Sequence, residues 1–380
     1  MRRRLPSVTV LAAALAFAGC SSGGHPGSST TTTGHAKSAT TTSTVASATT
    51  TTTTQPPLGP LPTTGPLQLG AQVVVPMSAV QVAATEGPDG AVFVAPADPT
   101  SAAPAIVWVV DGNGPPAIAE HVNSGVAALA ADGATLYVAT YAAVTAYDRS
   151  SGNQTGQWGL PHINTANSSN SDLVALAASG GRVLVSIAQG NTQSIYRINP
   201  DTTSAPQLVA LGASAIFGPN GSVYYERSDN RLVALSAAGA TTVGPLLAAQ
   251  PNGEGGGVQY LNVVAGGALW TSEPAGQGLD TQFARYDATT LQPLGTFAGT
   301  TTEQIVDTVA GTLVLSLPDG PVSCSPGGST PAASCVSRIT PAGALVDALA
   351  VGSGFKLLGP APTVIANNAA NTQVVLERIT

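Results

Sequence analysis

Four histidines and three cysteines bound the chemistry open to this 380-residue chain. His25 and His35 fall in a Ser-, Thr-, Gly- and Pro-rich stretch, which leaves His121 and His162 as the imidazoles a folded site can use. Two imidazoles and a carboxylate suffice to hold a divalent cation with an open position, the arrangement of a metal-dependent hydrolase or lyase. Glu254 and Glu303 are the carboxylates that would complete the set, and the identity of any metal is left open. The plainer expectation is that these are solvated loop residues. Cys20 ends the run Phe17-Ala18-Gly19-Cys20, while Cys324 and Cys335 bracket a segment rich in Ser, Pro and Gly. No histidine lies near the latter pair in sequence, so a zinc site there would lack two ligands. Gly253-Glu254-Gly255-Gly256-Gly257 looks like a phosphate loop but lacks the preceding strand and following helix that make one work. No cofactor is called for.

Such residues need a scaffold, and the chain spells one out by repetition. Val126–Gly152 reads as three short strands: Val126–Ala131, a tight Asp132-Gly133 turn, Thr135–Thr140, then Val144–Asp148. An Asp-Gly pair between apolar runs supplies the positive φ that a hairpin turn needs. The turn glycine recurs as Gly90, Gly133, Gly181, Gly221, Gly267 and Gly311, at spacings of 40 to 48 residues. Each is followed by two further strands and a fourth of variable polarity, such as Gln154–Leu160, Gln207–Leu211, Pro293–Phe297 and Leu345–Val351. Four antiparallel strands repeated every forty-odd residues mark a β-propeller blade. After Gly352 a last unit begins and stops one strand short, whereas Leu69–Val75 is a spare β-branched run before the first repeat. Pairing Leu69–Val75 with Gln373–Thr380 closes the ring and removes two open edges. The expected fold is therefore all-β: a seven-bladed β-propeller of four-stranded antiparallel blades, the N-terminal strand completing the last blade, over residues 66–380.

Motifs such as Asp132-Gly133-Ala134-Thr135-Leu136-Tyr137-Val138 and Ala146-Tyr147-Asp148 resemble the seven-bladed propeller superfamily with YVTN, NHL and quinoprotein-like repeats. The Trp-Asp dipeptide of tryptophan–aspartate repeats is absent. The resemblance implies a fold that hosts lyases, lactonases, dehydrogenases and plain binding scaffolds, so it leaves function to be argued from the site. A quinoprotein would need a ring of cationic and polar residues around its cofactor, but Arg182, Arg227, Arg231, Arg285 and Arg338 are scattered and read as blade-edge ion-pair partners. Asp148 and Asp287 close third strands and are expected to make Asx-type turns. Streptogramin lyases, another resemblance, would require a His…His…Glu set on one funnel, which only His121 and His162, in the connections after the first and second blades, can begin to supply.

The N-terminus carries an address. Arg2-Arg3-Arg4 followed by apolar Val8–Phe17 reads as a signal peptide, too short to span a bilayer. Phe17-Ala18-Gly19-Cys20 resembles the lipobox of bacterial lipoproteins, in which cleavage before the cysteine frees its thiol to carry lipid; Phe17 departs from the usual Leu. Residues 1–19 are thus expected to be removed and Cys20 lipidated, anchoring the chain to the outer side of the cytoplasmic membrane. Residues 20–65 cannot bury enough apolar surface to offset their ordering entropy and are expected to be a disordered tether. Outside the cytoplasm Cys324 and Cys335 are expected to form a disulfide, which for a loop of that size contributes on the order of 3 kcal/mol. The formal net charge of −7 becomes more negative once Arg2, Arg3 and Arg4 are lost, which argues against nucleic acid as a partner.

Binding is expected on the rim formed by fourth-to-first-strand connections and second-to-third-strand hairpins, the longest loops of the chain. The residues nominated there are His121, His162, Asn164, Asp172, Glu254, Tyr260, Glu273, Asp280 and Glu303. The expected function is that of a monomeric, membrane-anchored scaffold for a protein, glycan or cell-wall partner. The rival is a metal-dependent hydrolase or lyase with its site in the central funnel.

Overall fold

The computed structural model describes residues 66–380 except 78–80, 99–100, 102, 162–173, 190–191, 219–221, 237, 248–259, 266–267, 275–280, 298–301, 309, 317–333, 341–344 and 369–371. The described residues form twenty-seven strands and no helix. The first strand, β1 (Leu69–Val75), precedes a unit of β2 (Val82–Glu86), β3 (Val92–Pro96), β4 (Ala105–Val110) and β5 (Ala117–Val122). The second unit is β6 (Ala128–Asp132), β7 (Thr135–Ala139), β8 (Ala143–Asp148) and β9 (Gln154–Gly159). Next come β10 (Val174–Ser179), β11 (Arg182–Gln189), β12 (Thr192–Ile198), β13 (Gln207–Phe217), β14 (Val223–Arg227), β15 (Arg231–Leu235) and β16 (Thr241–Leu246). The chain continues through β17 (Tyr260–Ala265), β18 (Ala268–Pro274), β19 (Thr281–Asp287) and β20 (Pro293–Phe297), then β21 (Thr302–Thr308), β22 (Gly311–Ser316), β23 (Cys335–Ile339) and β24 (Leu345–Ala350). It ends with β25 (Ser353–Leu358), β26 (Thr363–Asn367) and β27 (Val374–Ile379).

Five four-stranded antiparallel sheets and one of seven strands result. In the larger sheet Gln207–Leu211 of β13 pairs with β12, whereas Gly212–Phe217 pairs with β14. One long strand is thus the outer strand of the third unit and the inner strand of the fourth, and counted this way there are seven four-stranded units. The last is composite, in the order β1-β27-β26-β25, with Val75 opposite Val374 and Leu69 opposite Ile379. That is the pairing expected from the two chain ends.

Both faces of every blade are covered, which explains the nearly continuous apolar second and third strands. On β7, Leu136 and Val138 join Phe93 and Val107 of the first blade, while Tyr137 and Ala139 join Val183 and Val185 of the third. Alternate side chains point to opposite faces of a strand, so one short strand feeds two cores. Among the described residues seven such clusters are found, each bridging two neighbouring units, one of them joining Val73, Val75, Ile365 and Leu376 to Val92, Val94 and Val110. Gly133 has φ 54°, as its turn demands. Asp148 accepts from the Ser150 and Ser151 amides at 3.1 and 2.9 Å and Asp287 from those of Thr289 and Thr290 at 3.0 and 2.7 Å, the expected Asx turns.

Candidate functional site

Antiparallel alternation sends first-to-second and third-to-fourth turns to one end of the ring and the remaining connections to the other. Of the residues expected to bind, His162, Asn164, Asp172, Glu254 and Asp280 lie outside the described residues, as do Cys20 and Cys324. Four nominated residues can be placed, and all four sit in strands rather than in connections. His121 is exposed on β5, the outermost strand of its blade, opposite Ile106, and its own amide donates to Glu120 Oε1 at 2.9 Å. Tyr260 opens β17 opposite Ser272, and Glu273 lies on β18 opposite Gln282 because the β18–β19 ladder runs two residues past the expected strand end. Glu303 falls at a bulge of β21. Tyr260 and Glu273 thus stand at the same end of one hairpin, Glu303 opens the inner strand of the next blade, and His121 is apart from all three on the outer strand of the first. Among the described residues no group of three His, Cys, Asp or Glu could hold a metal ion.

At the end expected to bind, a slot of about 340 Å³ lies beside the first blade, where the composite blade meets it. Its walls include Met77, Pro96, Pro104, Ile106 and Trp108, with Asp98 among the polar lining. Trp108 and Ile106 are on the same face of β4, the one turned toward the composite blade, and both are half-buried. The slot is held open by a rigid knot. Gly125 donates its N–H to the Ser101 carbonyl at 2.8 Å, Ser101 donates to Asp98 O at 3.1 Å, and Ala97 bridges to Val126. A side chain at position 125 would put its first carbon 1.7 Å from the Asp98 carbonyl, so only glycine lets the two segments meet. Apolar side chains and prolines around an aromatic ring suit an apolar anchor residue better than a charged small molecule.

Titratable groups displaced from their ordinary range lie elsewhere. Burial pushes the Glu86 carboxyl up to about 7, against the Ala361 amide and the Arg378 charge, which pull it down. Its side chain is 0 % exposed, so no ligand touches it; it stitches two blades instead. Burial also lowers the Lys356 amine to about 8. The arginines behave as blade-edge groups: Arg227 meets Asp229 at 2.5 Å, Arg338 pairs with Asp347, and Arg285 and Arg182 lie over the rings of Trp270 and Phe217. Sequence reasoning missed Trp108 and Glu86. Trp108 carries a signal, a lone aromatic among the aliphatic residues of a third strand; Glu86 has the weaker one of an acid ending an inner strand.

Neither a protein-family model nor a curated protein sequence matches the chain. Among solved structures, the chain is similar to the WD40 domain of Toxoplasma gondii coronin (13 % identity, 84 % of this chain and 87 % of that one, TM-score 0.55). It is also similar to the β-propeller domain of Myceliophteria thermophila Cps50 (Swd1), at 11 % identity over 83 % of this chain and 100 % of that one, TM-score 0.54. A chain of the Mitotic Checkpoint Complex matches at 12 % identity over 82 % of this chain and 94 % of that one, TM-score 0.55. At such identities the likeness is one of fold, a β-propeller, reached here without a Trp-Asp dipeptide.

Proposed function

We propose that the chain is a protein-binding scaffold: a bacterial lipoprotein held to the membrane through Cys20, with residues 20–65 as tether and the ring engaging a partner protein at the Trp108 slot. The slot carries this reading, because it is apolar, open and braced by the Gly125 knot. A space of about 340 Å³ takes a side chain or two of a partner, which makes it an anchor point within a larger contact. The fold likeness to a chain of the Mitotic Checkpoint Complex accords with such a role. The Cys324–Cys335 disulfide belongs to the same proposal; Cys335 is fully buried at the start of β23 and its side chain is engaged.

Two measurements test it. Cys20→Ser is expected to move the protein from the membrane fraction to the soluble one. A photo-crosslinking residue at position 106 is expected to trap a discrete protein partner in cells, and Trp108→Ala to abolish the adduct. The same residue at position 153, on the opposite end of the ring, is expected to trap none. Equal yields at the two positions, or no adduct at 106, overturn the scaffold reading.

A further inference from the structure

The opposite end of the ring carries a second, chemically different cavity. It has a volume of about 590 Å³ and is formed by the β10–β11 turn and the β12–β13 turn of the third blade. Its lining includes Arg182, Arg197, Asn199, Asp201, Thr202 and Gln207, with two apolar side chains among eleven residues. Pockets for apolar ligands are mostly hydrophobic, so this lining suits a ligand rich in hydroxyls. Two arginines, Arg182 and Arg197, line it with one acid, Asp201, in a chain of net charge −7. A planar guanidinium matches a carboxylate with two parallel hydrogen bonds.

The walls are fixed before any ligand arrives. The Gly181 amide donates to Asp132 Oδ2 of the second blade at 2.7 Å, which locks the first turn. Trp158 of the second blade donates its indole N–H to the Thr202 carbonyl at 2.8 Å, pinning the second turn. Within that turn Asp201 N–H bonds Asn199 Oδ1 at 3.2 Å and Ser204 N–H bonds Thr202 Oγ1 at 3.4 Å. Arg197 is steadied by Gln207 Oε1 at 3.1 Å, and Arg182 by the face of Phe217. Gly180 and Gly181 have open space where side chains would stand, so nothing fills the mouth from their side. Pre-organised donors cost less entropy on binding.

We propose that this cavity binds a carboxylate-bearing sugar. The carboxylate sits on the Arg197 and Arg182 guanidinium groups, and the hydroxyls meet Asn199, Thr202 and Gln207. The site is independent of the Trp108 slot, lying at the other end of the ring and on another blade.

Calorimetric titration of the detergent-solubilised full-length chain tests it, with glucuronate, glucose and acetate compared at one ionic strength. Glucuronate is expected to bind at least tenfold more tightly than either of the others, and Arg197→Gln to weaken it at least tenfold. Arg197 is exposed, so that variant keeps its fold, which an unchanged melting temperature verifies. Asn199→Ala is expected to weaken glucuronate and leave acetate unaffected. Glucose binding as well as glucuronate overturns the carboxylate contact, and acetate binding as well overturns the sugar contact. Absence of glucuronate binding, or binding indifferent to Arg197→Gln, overturns the site.

Discussion

Oε1 of Glu86 lies 3.8 Å from Nη1 of Arg378, across the seam where the composite blade meets the first. The same oxygen accepts the Ala361 amide at 2.9 Å, and Arg378 reaches on to the Gly90 carbonyl. Oε2 is buried without a partner. Burial outweighs these favourable contacts and raises the carboxyl from 4.5 to about 7. The folded chain therefore keeps a proton that the unfolded chain has released between those values. Stability from this group is fully present below pH 4.5 and is lost as the pH rises through 7, by at most about 3 kcal/mol. Glu86→Gln is expected to flatten that slope and to raise the denaturation midpoint at pH 8. Urea melts of both proteins at pH 5 and pH 8 measure it; an unchanged slope removes Glu86 as its source.

Arg149 does comparable stitching between the first two blades. It meets Asp89 at 2.6 and 2.8 Å, donates to the Gly133 carbonyl at 2.8 Å and stands 4.9 Å over the Phe93 ring. Burial opposes ionisation of Asp89, but the bonds and charge of Arg149 prevail and hold it below its ordinary range. Asp89 is 59 % exposed, so the ion pair itself contributes little. The planar stacking and the carbonyl bond account for most of the effect, so Arg149→Lys is expected to lose nearly as much as Arg149→Met, about 1 kcal/mol. Full rescue by lysine in a thermal melt contradicts this.

The sequence carried the architecture because a strand sandwiched between two blades must be apolar on both faces, and because turns of fixed chirality demand glycine. Asp132-Gly133 and Leu69–Val75 are cases in point: one turn set the repeat register and one spare strand set the closure. Side-chain meetings between blades were beyond reach. Glu86 and Arg378 stand 292 positions apart, and no periodicity links an acid at the end of one inner strand to an arginine near the chain end. His121 reads as a connection residue because an outer strand with one buried face and one wet edge has no strong alternation to read; β5 shows this in Ala117 and Ile118, both exposed. The slot is not legible in the sequence because Met77, Pro96 and Trp108 come from three separate segments.

Lys356 is the single lysine of the ring, since the chain's other lysine is Lys37. It sits half-buried on β25, and burial lowers its amine from 10.5 to about 8. The unfolded chain holds that proton up to 10.5, so this group's contribution to stability grows as the pH rises from about 8 to 10.5. A larger neutral fraction at pH 8 makes it the better nucleophile. Acetic anhydride at pH 8 is expected to label Lys356 to a greater extent than its pKa-normal counterpart in the denatured chain, read by peptide mass. Equal labelling of the native and denatured protein overturns the depressed pKa.

Closure of the ring makes the last prediction. On β1, Val75 is 0 % exposed against the first blade's core whereas Val74, one residue away, is 42 % exposed. A carboxylate at position 75 would be buried beside Ile365 and Val94 without a partner, so Val75→Asp is expected to cost at least about 3 kcal/mol. Val74→Asp points to solvent and is expected to cost about 0.5 kcal/mol or less. Because Met77 follows within two residues and lines the slot, Val75→Asp is also expected to abolish crosslinking from position 106, and Val74→Asp to leave it intact. Two variants equal in stability and in crosslinking would mean that the first strand decorates the last blade without closing the ring.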